Sequence, residues 1–397
     1  MSSQFRPRRI AQSLPDDASM VAQVREAVIG DAAPVTGASL AAAVQSTGRL
    51  LGSEGTFRTL DRVRAELQGL GPLQRYAEDP AVTDILVNGP GAVWVDDGGG
   101  LRRTDQIFVN ESEVRSLAAR LVAAGGRRLD DGNPCVDVRL DRFRVHAVLP
   151  PLSTSGTLLS IRIQRQCNFS LADLESAGTV DSEMSAALRC IVDRRLNFLI
   201  SGATGTGKTT LLSALLSLSS PDERLVTVED SAELSPAHPH VIGLESRHGN
   251  LEGSGAVNLA ELVRQALRMR PDRLIVGECR GAEVRELLAA MNTGHDGAGG
   301  TIHANSASSV PARLSALGAL AGMEAGALAL QAANALDVVI HVVRTGGGRV
   351  VSEIGVIDMT AAGELIVRPA LTWNGPNSVQ GPAWEGLVEL FEHRMLK

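Results

Sequence analysis

Aromatic side chains are scarce: Phe, Trp and Tyr make up 3% of 397 residues, with one tyrosine. So few rings argue against a surface on which bases stack. Excess positive charge is missing too. The net charge is −7, so any nucleic-acid footprint would have to be a local patch. The four cysteines, Cys135, Cys167, Cys190 and Cys279, form no CxxC pair, which suits reduced thiols and excludes a zinc-ligand spacing. No long apolar run survives inspection. The most apolar stretch, residues 314–340, is interrupted by Glu324, Gln331, Asn334 and Asp337, too polar for a membrane span. Arg6, Arg8 and Arg9 are followed by no apolar stretch, so no signal peptide is expected. There are no internal repeats and no heptads. What remains is a cytoplasmic chain long enough for two domains and a substantial core.

Glycine is plentiful, and its placement is informative. Gly202, Ala203, Thr204, Gly205, Thr206, Gly207, Lys208 and Thr209 fit G-x-x-x-x-G-K-[ST], with Thr210 next. The apolar run Phe198-Leu199-Ile200 precedes them and a leucine-rich run follows, which reads as strand, loop, helix. Glycines let backbone N–H groups turn inward toward phosphate oxygens, and the helix start adds its positive dipole end. Lys208 is expected on the β/γ-phosphates and the Thr209 hydroxyl on Mg²⁺.

Around this loop the pattern divides the chain. Residues 1–58 read as an arm with two short helical stretches, near 19–28 and 39–51. From Thr59, Leu60, Val63, Leu67 and Leu70 recur at helical spacing until Gly71-Pro72. Residues 59–165 predict a small α+β domain with a mostly antiparallel sheet. In it, Asn110 and Glu113 mark an N-cap with its reciprocal partner, and Gly125-Gly126 the helix end. Residues 166–182 read as a linker. Residues 183–397 alternate strands (225–228, 274–276, 300–302, 338–343) with helices, which predicts a parallel three-layer α/β sheet. A hairpin, 350–357 and 363–368, is expected as an added tail.

Four further clusters could carry chemistry. Arg273 to Glu278 (R-L-I-V-G-E) ends a strand in Gly277 and Glu278. Glycine there is expected to open space beside the phosphates, and Glu278 to orient water; a surface glutamate is the alternative. Glu229, Asp230 and Glu233 follow the strand after the loop helix, so they emerge at the same carboxyl edge. With Mg²⁺ they suit metal-orienting and water-positioning roles; a solvated acidic loop is the alternative. His295 and His303 flank a glycine-rich turn and a short strand, where imidazole N–H groups can donate to a γ-phosphate or its carboxylate. Arg139, Arg142, Arg144, Arg162 and Arg165 fall in the first domain. They suit phosphate contact or a solvated sheet face.

These boxes, in this order, resemble those of the secretion-superfamily traffic ATPases of type II and type IV secretion and type IV pili. The phrases at 83–89, 244–247 (L-E-S-R), 266–279 (A-L-R-M-R-P-D-R-L-I-V-G-E-C) and 292–306 are similar to the Tad (tight-adherence, Flp pilus) branch. The resemblance covers roughly residues 59–345. It implies a RecA-like P-loop ATPase domain behind a smaller PAS-like α+β domain, assembled as a homohexamer. ATP and Mg²⁺ are the implied cofactors. The implied partner is an inner-membrane platform protein of a pilus or secretion system, and the implied location is the cytoplasmic face of that membrane; the net charge of −7 and the scarce rings argue against direct nucleic-acid contact. It implies Glu233 as a catalytic glutamate and Glu278 as the Walker B glutamate. It also implies His295 and His303 near the γ-phosphate, and Arg144 and Arg162 as phosphate-contacting arginines. Two departures stand out. Cys279 replaces an aliphatic residue, and Ala298-Gly299-Gly300 is smaller than the usual turn, which predicts a looser histidine loop. A DNA-transfer ATPase and a nucleotide-gated scaffold with little turnover are the alternatives.

Overall fold

The computed structural model describes residues 69–164, 169–247, 255–346, 348–375 and 377–393. The arm at 1–58, most of the helix expected from Thr59, Arg165 and Cys167 lie outside them. The chain divides into two compact units, Met1–Arg165 and Gln166–Lys397.

In the first unit a 3₁₀ turn, Gly71–Leu73, leads into α1 (Gln74–Glu78). Then come β1 (Asp84–Asn88), β2 (Val93–Asp96), β3 (Leu101–Arg103), α2 (Glu111–Ala124), β4 (Cys135–Leu140), β5 (Phe143–Val148) and β6 (Leu158–Ile163). The six strands form one antiparallel sheet in the order β3-β2-β1-β6-β5-β4. Strict alternation builds its core: Ile85, Val87, Val145, Ala147, Leu159 and Ile161 are buried, while their sequence neighbours point to the other face. Helix α2 lays Val114, Leu117, Ala118, Leu121 and Val122 into the same core. Asn110 caps it by accepting from the Glu113 amide at 3.0 Å, an interaction that contributes about 1 kcal/mol. The Glu113 carboxylate accepts from Val109 N at 2.9 Å, one residue before the cap.

The second unit begins with α3 (Leu171–Ser176), α4 (Ser182–Asp193), β7 (Phe198–Ser201), α5 (Lys208–Leu216), β8 (Leu225–Glu229) and β9 (Val241–Glu245). It continues with α6 (Leu259–Ala266), β10 (Arg273–Cys279), α7 (Glu283–Met291), β11 (Gly299–Ile302), α8 (Val310–Leu320) and α9 (Ala325–Ala335). It closes with β12 (Val338–Thr345), β13 (Gly348–Met359), β14 (Leu365–Trp373), β15 (Ser378–Gln380) and α10 (Trp384–His393). The sheet order is β15-β14-β13-β12-β7-β11-β10-β8-β9. Strands β12 through β9 in that order run parallel, and β13 to β15 extend the sheet antiparallel. Helices cover both faces. Phe198 and Ile200 of β7 pack on the side of α3, α4 and α5; Leu199 between them faces α6 to α9.

Three expectations need revising. The stretch 166–182, read as a linker, contains α3, a helix with a Ser170–Asp173 capping box. Its Leu171 and Leu174 belong to the core beside α4 and α5, so burial holds it to the second unit. The expected hairpin tail is an integral part of the main sheet: Val351, Ile354, Ala370 and Leu371 are core residues. Ala298-Gly299-Gly300 is not a loosened loop. All three are buried where β11 begins. A Cβ on Gly299 would stand 2.9 Å from the Phe198 ring, and one on Gly300 2.6 Å from the Val276 carbonyl oxygen.

Candidate functional site

The loop between β7 and α5 supplies the central geometry. Gly202, Gly205 and Gly207 have φ of +155°, +75° and +94°, a region that L side chains rarely enter. A Cβ on Gly202 would also lie 2.7 Å from Thr206 Oγ1, so the first turn closes only around glycine. Helix α5 starts from Gly207 with no side-chain cap, which leaves its first amides for an anion. Thr209 and Thr210, half-buried, are the second and third residues of that helix. The cradle that only glycine can form is the shape a polyphosphate needs.

Lys208 is buried at 7% exposure. Its Nζ donates to Gly202 O at 3.0 Å and Ala203 O at 2.9 Å, so the ammonium sits inside the loop. It also lies 3.4 Å from His303 Nδ1, and His303 Nε2 is 3.1 Å from Glu278 Oε1. The three side chains form a row from the end of the P-loop strand across β11 to β10. Burial pulls the Lys208 pKa down from its ordinary value, and the Glu278 charge opposes that. Burial first, and then the Lys208 charge, hold His303 below its ordinary value, against the pull of Glu278. A neutral ring accepting from Lys208 at Nδ1 and donating to Glu278 at Nε2 satisfies both neighbours.

His295 is not part of this row. Strand β11 pairs Gly299 with Phe198 and Ile302 with Ser201. His303 therefore leaves at the P-loop edge and His295 precedes the opposite edge. Four strand residues separate the edges by roughly 13 Å. The His295 ring lies 3.2 Å from Ala290 O at the end of α7. Its expected place near the γ-phosphate is corrected: it closes a helix.

The acidic loop divides its labour. Glu229 is buried at 4% exposure, and its Oε1 accepts from Glu233 N and Leu234 N, both at 3.0 Å. It shapes its own loop instead of orienting metal. Asp230 pairs with Arg280 and accepts from Ser246 Oγ at 2.8 Å, so it too is engaged by protein. Glu233 is exposed on the loop that Glu229 holds. Gly277 is also reassigned. A Cβ there would stand 2.6 Å from Glu229 Cγ, so its missing side chain makes room for Glu229, not for phosphates. Cys279 is fully buried among the α6–α9 core residues, and burial raises its thiol pKa far above the ordinary value. It serves as a small hydrophobe. Among the described residues no group of three or more His, Cys, Asp and Glu could hold a metal ion.

Two residues here were missed. His341 on β12 is buried at 5% exposure, with Nδ1 2.8 Å from Ser201 Oγ. Burial lowers its pKa, against a backbone hydrogen bond at Asn305, so the ring ties the end of β7 to the residues after His303. A histidine inside the run V-V-I-H-V-V was the available signal. Arg349 on β13 donates from Nε to Gly205 O at 3.1 Å; no local motif marks it.

Arg144 and Arg162 lie side by side on β5 and β6 of the first unit. Arg144 donates to Asp137 at 2.9 Å and Arg162 to Asp84 at 3.1 Å. Both are exposed, at 40% and 57% of the side chain, and stand on the outer face of the sheet. Arg139 pairs with Arg144 across β4 and β5. Arg142 stacks over Phe143 at 5.0 Å.

A phosphate-shaped glycine cradle, with lysine, histidine and glutamate aligned at the carboxyl edge of a parallel sheet, places the chain among P-loop nucleoside triphosphatases. Known proteins narrow the class. Residues 66–354 match the family described as type II/IV secretion system protein, and the chain belongs to that family. It is an ATP-hydrolysing enzyme. It is 52% identical over 307 residues to a putative conjugal transfer protein of Mycobacterium tuberculosis (strain H37Rv), covering 76% of this chain and 87% of that one. It is 32% identical over 283 residues to the conjugal transfer protein TrbB of Rhizobium radiobacter, covering 70% and 84%. In fold it is similar to the pilus retraction motor PilT with bound ADP, with a TM-score of 0.51 at 17% identity, covering 82% of this chain and 89% of that one. Among the described residues no helix is long and apolar enough to cross a membrane.

Proposed function

We propose that the chain is the motor subunit of a type II/IV secretion or pilus-assembly machine. The observation that carries this reading is the Lys208–His303–Glu278 row at the mouth of the glycine cradle. The loop amides and Lys208 hold the β- and γ-phosphates, and Thr209 holds Mg²⁺ against them. Glu278 and Glu233 place the attacking water, with His303 keeping the Glu278 carboxylate turned toward the reacting phosphate. Arg144 and Arg162 lend positive charge to the phosphates; this part rests on the sequence resemblance. Six subunits form the working ring at the cytoplasmic face of the inner membrane, and a platform protein there receives the motion.

The Tad/Flp phrases at 266–279 and 292–306 favour pilus assembly as the task. The conjugal transfer relatives favour a second reading, DNA transfer. The net charge of −7 favours a motor that drives a protein partner without gripping DNA itself.

Steady-state phosphate release from the purified full chain tests the motor. Lys208→Ala is expected to lose turnover, and Glu233→Gln to bind ATP while turning over slowly. Wild-type turnover in Lys208→Ala overturns the reading, and an unmodified rate in Glu233→Gln removes Glu233 from the mechanism. Filter binding of DNA across a salt series separates the two tasks: retention that weakens steeply with salt supports direct DNA contact.

A further inference from the structure

The glycine cradle has a neighbour on the side away from Glu278 and His303. In the sheet, β11 and β10 lie on one side of β7, while β12 and β13 lie on the other. Arg349, the second residue of β13, reaches back over the loop. Its Nε donates to Gly205 O at 3.1 Å, and its Cδ stands 3.0 Å from where a Cβ of Gly207 would be. Gly207 is required to be glycine by its φ of +94°, and the arginine stem passes close over it.

Arg349 makes no ion pair among the described residues, and the four N–H donors of its terminal nitrogens make no hydrogen bond to them. Arginine carries five donors in a planar fork suited to phosphate oxygens. Here one donor anchors the fork to the loop, and the rest remain available beside the cradle.

We propose that Arg349 is a nucleotide-binding residue that grips the α-phosphate, the end of the polyphosphate furthest from the Glu278–His303 row. The inference rests on reading the cradle as the ATP site. A γ-phosphate directed at His303 and Glu278 puts the α-phosphate on the β12–β13 side, where Arg349 waits. The α-phosphate is common to ATP and ADP, so the contact strengthens both equally. It holds the nucleotide through hydrolysis and does not report on the γ-phosphate.

The test is equilibrium binding of ATP and ADP, each with Mg²⁺, to the full chain by competition with a fluorescent nucleotide. Arg349→Ala is expected to weaken both by the same factor, roughly tenfold, as for loss of a charge-assisted contact. Arg349→Gln keeps a donor for Gly205 O without the charge and is expected to behave like Arg349→Ala; Arg349→Lys is expected to recover part of the affinity. Unchanged affinities in Arg349→Ala, full recovery by Arg349→Gln, or weakening of ATP alone each overturn the proposal. Melting without nucleotide checks that each variant is folded. Lys208→Ala run in parallel separates two failures. If it loses nucleotide while Arg349→Ala does not, only this inference falls. If Lys208→Ala binds normally, the ATP-site reading falls with it.

Discussion

Replacing Glu229 distinguishes a carboxylate that builds the site from one that works in it. Its Oε1 accepts two backbone N–H groups, from Glu233 and Leu234, while the residue itself is 4% exposed. Hydrogen bonds to a charged acceptor contribute about 1.5–3 kcal/mol each. The two amides share one oxygen, so the pair together is expected to contribute about 2–3 kcal/mol. For a unit the size of Gln166–Lys397 that corresponds to a Tm lowered by roughly 4–12 °C in Glu229→Ala. Turnover should fall as well, because the loop carrying Glu233 loses its anchor. Glu229→Gln retains a carbonyl oxygen at the same place. It is expected to recover most of the melting temperature and a large share of turnover. The assay is calorimetric or fluorescence melting beside phosphate release at saturating Mg²⁺–ATP. If Glu229→Gln melts like wild type yet turns over no faster than Glu229→Ala, the negative charge is needed for chemistry, and its assignment as a builder of the loop is wrong.

Gly277→Ala approaches the same contact from the neighbouring strand. The new Cβ meets Glu229 Cγ, so a loss of about 1–3 kcal/mol is expected from overpacking, and a denaturant midpoint unchanged from wild type would refute the clash. His303 predicts a pH effect. Its pKa is held below the ordinary 6.5, so the neutral ring persists as pH falls to 6.5, and the acid limb of the kcat/KM profile, which reports the free enzyme, lies below that value. The unfolded chain takes up this proton first, so folding stability drops as pH falls through 6.5 and levels off below the folded pKa. His303→Gln should abolish that limb, and a limb that stays in place assigns it to another group. Arg144→Ala and Arg162→Ala each remove an exposed ion pair that contributes at most about 1 kcal/mol. Little change in melting is expected, with a several-fold fall in ATP turnover, and a normal rate in the double variant would exclude both from the reaction.

What was legible in the sequence, and what was not, follows from how far each residue's reason lies along the chain. The cradle is local: its glycines, Lys208 and Thr209 sit at fixed spacing because one turn of backbone must fit one polyphosphate, so the pattern survives without any fold. The strands β7, β8, β10, β11 and β12 are nearly as legible, because burial on both faces gives short apolar runs; β9, with no fully buried residue, carries no such signal, and the order of the strands in the sheet is not written in any of them. The histidines were half legible. A four-residue strand between His295 and His303 already implies opposite edges, yet both were drawn to the phosphate by their shared glycine-rich surroundings. Glu229 and Gly277 were misread for a different reason. Each explains the other across the paired strands β8 and β10, and neither carries a local signal that a buried carboxylate needs an absent side chain 48 positions away. Arg349 is the extreme case, touching Gly205 from 144 residues further on with no motif of its own. The same distance is what makes it informative about mechanism. The triphosphate cradle is written in one loop, but the groups that give its two ends different fates come from strands on opposite sides of β7. Turnover and nucleotide retention should therefore separate by mutation, one moving with His303 and Glu278 and the other with Arg349.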